Sequence, residues 1–146
     1  MGYSDGEALI LTRVQAASGF SSTNTSRGDW LILNRGASDH YAILRMGEFS
    51  GRWLTANQYQ ANWTTTIEVW QLYTDDAVTR TNLYGHLAAV IAGLLNYPHL
   101  GGAIEDSTIE GGSEPQRAWE REGGPQWLFC SVRVRWDETT TINFAE

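Results

Sequence analysis

The chain has no lysine, and all ten of its basic residues are arginine. A lysine-bearing phosphate loop, a Schiff-base lysine and a Ser-Lys dyad are therefore impossible. The bland reading of the arginine bias is the base composition of a GC-rich genome. Cys130 stands alone, which excludes an intramolecular disulfide and any cysteine-rich metal centre. It falls in an alternating strand pattern and reads as a small buried hydrophobe. No apolar run approaches the roughly 20 residues that span a bilayer, and no basic segment followed by an apolar one opens the chain. The expectation is a protein made and first used in the cytosol, with no membrane partner. The two Asn-x-Thr/Ser matches at Asn24 and Asn62 carry no meaning without a secretion signal.

Basic charge is also scarce relative to acidic, and the net charge of −7 argues against a surface that grips nucleic acid, which needs a concentrated basic patch. What the chain does have is aromatic residues, with seven tryptophans, a generous allotment that reads first as core and rim packing. Some of that surface is suited to a partner. At 146 residues one domain is expected, spanning 1–146.

Leu9, Ile10, Leu11 and Val14 mark a first helix over Glu7 to Ala17, with Ser4 and Asp5 as caps and Gly19 as a stop. Residues 20–29 are almost entirely Ser, Thr, Asn and Gly and read as a mobile loop unless a neighbour holds them. Arg27, Gly28 and Asp29 spell a tripeptide known from adhesion ligands, but three residues recur by chance too often to support that function. Trp30 to Leu33 and Tyr41 to Phe49 read as a hairpin with a long loop, and Ser50 to Asn62 as an excursion at the sheet edge. Thr64 to Tyr73 is dense in residues that suit a pleated surface.

Asp75 and Asp76 open a second helix, ended by Pro98, with Tyr84, Leu87, Val90, Ile91, Leu94 and Leu95 as its apolar stripe. The opposite face, Thr79, Asn82, His86, Ala89 and Gly93, is small and uncharged. Gly85 and Gly93 thus mark places where another element or subunit comes close, or are simply tolerated surface glycines. Ala103 to Glu110 reads as a strand and Gly111 to Pro125 as a charged loop. Gln126 to Trp136 is the clearest strand, with Leu128, Cys130, Val132, Val134 and Trp136 on a core face and Arg133 and Arg135 on the other. Residues 137–146 read as an extended C-terminal tail suited to adding to a neighbouring sheet edge.

The sequence offers no constellation for chemistry. His40, His86 and His99 lack the close spacing of metal ligands, and no nucleophile elbow is present. The carboxylate pairs Asp75/Asp76, Glu105/Asp106, Glu120/Glu122 and Asp137/Glu138 read as a helix cap and solvated charge. The expectation is a non-enzyme with no cofactor and no metal.

The wording TTTIEVWQLYTDD, LAAVIAGLLN, LGGAIEDSTIEGG and GPQWLFCSVRVRW, in that order over Thr64 to Trp136, resembles the tail terminator (tail completion) proteins of long-tailed bacteriophages. Residues 20–62 carry no match. The resemblance implies an α+β fold, a mixed or antiparallel sheet with helices packed on one face. It implies a structural protein at the tail-neck junction of the virion, a homo-hexameric ring that caps the tail tube protein and stops its polymerisation. The ring docks the head-tail connector, while phage DNA passes through without specific binding. The family has no active-site residues to carry over. As subunit contacts, Arg133, Arg135, Gly85 and Gly93 are the candidates. A head-completion or neck adaptor of the same virion is the alternative within that class, and a small α+β ligand-binding domain or enzyme the alternative outside it.

Overall fold

The structure, a computed structural model, describes residues 3–96, 106–119 and 123–142. Helix α1 (Tyr3–Ala16) and helix α2 (Asp76–Leu95) lie against a six-stranded mixed sheet. The strands are β1 (Thr25–Arg27), β2 (His40–Trp53), β3 (Gln58–Leu72), β4 (Asp106–Gly112), β5 (Gln116–Trp119) and β6 (Gln126–Thr141). They run in the order β1-β2-β3-β6-β4, with β5 also on β6. Only β1–β2 is parallel. This is the expected α+β architecture with its helices on one face.

Alternation decides the two faces. Ala42 and Leu44 of β2, Ile67 and Val69 of β3, and Leu128, Cys130, Val132, Val134 and Trp136 of β6 point toward Ile10 and Val14 of α1 and Leu83, Val90 and Leu94 of α2. On the reverse face, Tyr41, Ile43 and Trp127 pack under Ile32 and Leu33 at one end of the sheet. Those last two belong to a 3-10 helix, Trp30–Arg35, where a strand was expected. Three local groups select the tight helix. Asp29 accepts from the Leu31 amide at 3.1 Å and pairs with Arg35 at 2.7 Å, and Gly36 leaves in the left-handed region at φ 65°.

The polar segment 20–29 contains a strand rather than only a loop. Its side chains serve as hydrogen-bond partners instead of hydrophobes. Asn24 accepts from the Ser21 amide at 2.8 Å and donates to the Gly19 carbonyl at 2.9 Å, while Gln15 of α1 donates to Thr25 at 3.0 Å. Arg27 is tied to Glu7 of α1 at 2.6 Å, so both charged members of the adhesion-like tripeptide are occupied by local structure.

Four other boundaries differ from expectation. Ser4 and Asp5 lie inside α1 rather than capping it. Residues 50–62 are no excursion, because β2 and β3 continue as a hairpin arm that turns at 54–57. The expected loop 111–125 holds the end of β4 and all of β5. Asp137 to Thr141, expected as a free tail, completes β6 by pairing with Gln58 to Asn62 of the same chain. Residues 143–146, Pro98 and Ala103 to Glu105 lie outside the described residues.

Asp75 caps α2 as its sequence suggests, with φ −139° and ψ 144° and its carboxylate accepting from the Ala77 and Val78 amides. Such a cap contributes about 1 kcal/mol. The buried arc of α2 is rotated from the expected stripe. Thr79, Leu83, Val90 and Leu94 are buried, whereas Tyr84 and Leu95 are 48% and 64% exposed. The cause is α1, which packs beside α2 on its small-residue side. A Cβ on Gly93 would stand 3.4 Å from the Arg13 carbonyl oxygen.

Candidate functional site

Past the 3-10 helix, the reverse face of the sheet has no helical cover among the described residues, and it is polar. Successive strands place Glu48 (β2), Asn62, Thr64 and Thr66 (β3), Arg133 and Arg135 (β6) and Glu110 (β4) across it. The sequence put the two arginines on the outward face, and there they are. Arg135 is held. It donates to Asn62 at 2.9 Å and lies 3.4 Å from the Asp137 carboxylate and 4.0 Å from that of Glu110. Arg133 has no ion-pair partner among the described residues. At the covered end of the same face Arg45 pairs with Glu68 at 2.6 Å, and Glu68 also accepts from the Trp70 indole at 3.4 Å.

Two shallow concavities open here, of about 200 Å³ beside Arg135 and about 220 Å³ beside Arg133. Both fall short of the roughly 300–1,000 Å³, mostly apolar, of a site that encloses a small molecule. A surface of this kind, flat, charged in both signs and crossed by four strands, suits another protein better than a substrate.

The second cluster escaped the sequence. His40, at the start of β2, and His86, on α2, stack with ring centroids 3.8 Å apart and planes 10° from parallel, and Phe20 meets both rings edge-on. The His40 Nδ1 lies 2.7 Å from the Asp39 carboxylate and its Nε2 lies 2.5 Å from the Gly19 carbonyl oxygen. Gly19, at φ 88°, turns its carbonyl into this position. Burial, and secondarily the neighbouring His40, hold the His86 pKa below the ordinary histidine value. The His40 contact in turn lowers the Asp39 carboxyl. Ser38 Oγ is 3.3 Å from the His40 Nδ1, so Asp39, His40 and Ser38 superficially suggest a hydrolytic triad. The geometry excludes one. Serine and aspartate share one ring nitrogen, and a carbonyl occupies the other, which leaves none to activate a nucleophile. The cluster is a joint between α2, the start of β2 and the turn after α1. Forty-six positions separate the two histidines, so no local spacing signals their contact.

Among the described residues no group of three or more His, Cys, Asp or Glu side chains is arranged to hold a metal ion. Asp75 is the expected helix cap, and Asp137 and Glu138 are strand residues. Glu105, Glu120, Glu122 and His99 lie outside the described residues. Burial pushes the Cys130 thiol up to about 11, which keeps it protonated and unreactive at neutral pH. Gly93 is where α1 comes close, an approach within the subunit, while a Cβ on Gly85 would meet open space. No described helix is long and apolar enough to cross a membrane.

Comparison with known families and with curated proteins finds no significant match for this chain.

Proposed function

We propose that this protein is a structural component of a phage virion, a tail terminator whose ring caps the tail tube, stops its growth and presents the face on which the head docks. The single observation that carries the reading is the bare, polar sheet face built around Arg133. A sheet with one face left uncovered over four strands calls for a neighbour, and its mixed charge favours a copy of the same acidic chain. The element order over Thr64 to Trp136 supports it further. β3, a capped α2, β4 and β6 occur in the order on which the resemblance rests, with the short β5 added between the last two, and the strands share one sheet. A heterologous contact repeated around an axis closes a ring. An acidic ring lets DNA through without holding it. In this reading Arg133, and with it Arg135, meets a neighbour's carboxylates, and the tube protein below and the connector above are the other partners.

Deletion of the gene from its phage or prophage tests the proposal by electron microscopy of the particles produced. Overlong, headless tails are expected. Normal-length tails beside unattached heads would instead assign a neck adaptor, and normal infectious particles would refute a structural role. Reversing both charges, Arg133→Glu with Arg135→Glu, should abolish ring assembly while leaving the circular dichroism of the subunit unchanged.

A further inference from the structure

The arm carries an open strand edge whose side chains complement their own copy. β1 accompanies β2 only at Ala42 to Leu44, so β2 from Arg45 to Trp53 has no strand on its outer side among the described residues. The hairpin fixes which main-chain groups face outward. The Leu54 amide donates to the Gln58 carbonyl at 2.8 Å, so Leu54 points at β3. By the alternation of an antiparallel ladder Arg52 and Ser50 do likewise, and Phe49, Gly51 and Trp53 turn their N–H and C=O outward. Edge strands are usually blunted by proline, lysine or a covering element. Here the outward stretch is Phe49-Ser50-Gly51-Arg52-Trp53, with neither proline nor lysine, and every residue from Glu48 to Asn57 is exposed.

We propose that this edge pairs with the same edge of a second copy, antiparallel across a two-fold axis at Ser50. Outward-facing residues must oppose outward-facing residues, so the two-fold axis must fall on a residue. Centring on Glu48 opposes two glutamates, and centring on Arg52 opposes two arginines. Like charges in direct opposition are unfavourable. Centring on Phe49 or Gly51 sets no opposite charges against each other. Centring on Ser50 places Glu48 opposite the second copy's Arg52, twice by symmetry, at the closer, non-hydrogen-bonded positions of the ladder. Phe49 then falls opposite Gly51, over which the Tyr59 ring lies, so the two aromatic side chains share that face, and Phe49 and Gly51 exchange both main-chain hydrogen bonds. The side-chain faces agree as well. Glu48 lines the polar concavities beside Thr64, whereas Phe49 lies on the aromatic side with Trp63, at a centroid distance of 4.7 Å. Among the described residues no ion pair competes for the charges. Arg52 reaches only Gln60, at 3.4 Å, and Glu48 has no ion pair among the described residues. The pairing uses the strand edge rather than the sheet face; Glu48 lines the concavities beside Arg133 and Arg135 as well, whereas Arg52 lines neither, so Arg52→Glu reads the edge alone.

Light scattering coupled to gel filtration of the full-length protein, across concentration and ionic strength, reads the association directly. A dimer that weakens with salt is expected. Glu48→Arg and Arg52→Glu should each weaken it about tenfold or more by setting like charges in opposition, and the double variant E48R/R52E should restore it, which also shows that the single variants fold. A chain that stays monomeric at all concentrations would overturn the proposal. So would an oligomer indifferent to both single substitutions, or single-variant losses that the double variant fails to recover.

Discussion

The same three strands, β2, β3 and β6, pass through two regions of opposite character. In the body, Tyr41 to Leu44, Ile67, Val69, Leu128, Cys130, Val132 and Val134 are buried beneath the helices or the 3-10 segment. In the arm, Met46, Phe49 and Trp53 are 68%, 53% and 55% exposed. Backbone pairing is continuous through both, with β3 matched to β6 residue by residue from Leu72 to Gln58. Sheet formation therefore does not distinguish them; cover does. The boundary is Trp136, fully buried, whose indole packs under Gly6 of α1 on one side and 5.9 Å from Trp63 on the other. A strand needs a neighbour on its edge to exist and a layer on its face to be stable, and the arm has the first without the second.

That contrast is broken most severely at the boundary. Trp136→Ala should cost about 3–5 kcal/mol in urea unfolding, whereas Trp53→Ala in the arm should cost less than about 0.5 kcal/mol. Comparable losses at the two sites would mean that the arm is part of the cooperative core. Gly6→Ala is the subtler variant. Alanine suits a helix interior better by about 1 kcal/mol, yet its Cβ would lie 2.1 Å from the buried Trp136 ring. Overpacking of this kind costs about 1–3 kcal/mol, so net destabilisation is expected, and a raised melting temperature would show that α1 sits farther from the sheet.

The smallest effect concerns the histidine joint, which belongs to the body alone. With the His86 pKa lowered on folding, the unfolded chain takes up a proton near pH 6.5 that the folded chain resists. Stability is then fully present above that pH and declines as pH falls from about 6.5 toward the folded value. Melting temperatures measured between pH 7.5 and 5.5 should show this decline, reduced in His86→Gln. An equal slope in that variant would assign the acid sensitivity to other groups.

The body was largely legible in the sequence and the arm was not, for physical reasons. β6 and the end of β3 alternate cleanly because one face is buried along their length, and Asp75 announces α2 because a free helix end needs an acceptor. In the arm β2 is exposed on both faces from Glu48 to Trp53, so burial writes no period into it, and Gly47 and Gly51 remove side chains where Thr64 and Tyr59 crowd the strand. β1 stayed hidden because Ser21, Asn24 and Thr25 hold it through hydrogen bonds, which leave no hydrophobic pattern. Of the site, the outward direction of Arg133 and Arg135 followed from alternation, whereas Glu110 and Asn62, which meet Arg135 from β4 and β3, needed the register to appear. The small face of α2 pointed to the close approach of another element, which α1 makes at Gly93, but nothing in the sequence showed how far that contact turns the buried arc away from Tyr84 and Leu95.

The pairing of β2 with β3 skips one residue between Met46 and Phe49, so the pleat slips phase there. Inward positions are even-numbered before the slip, at Ala42 and Leu44, and odd-numbered after it, at Phe49, Gly51 and Trp53. This irregularity works as an expansion joint for the gene. Arm length can drift by whole pleats at the tip, two residues per strand, without turning the aromatic side over, and a single-codon insertion or deletion can be absorbed at Gly47 and Glu48 before it reaches the body. The lineage is thereby free to vary the reach of the arm while the sheet beneath the helices stays in register.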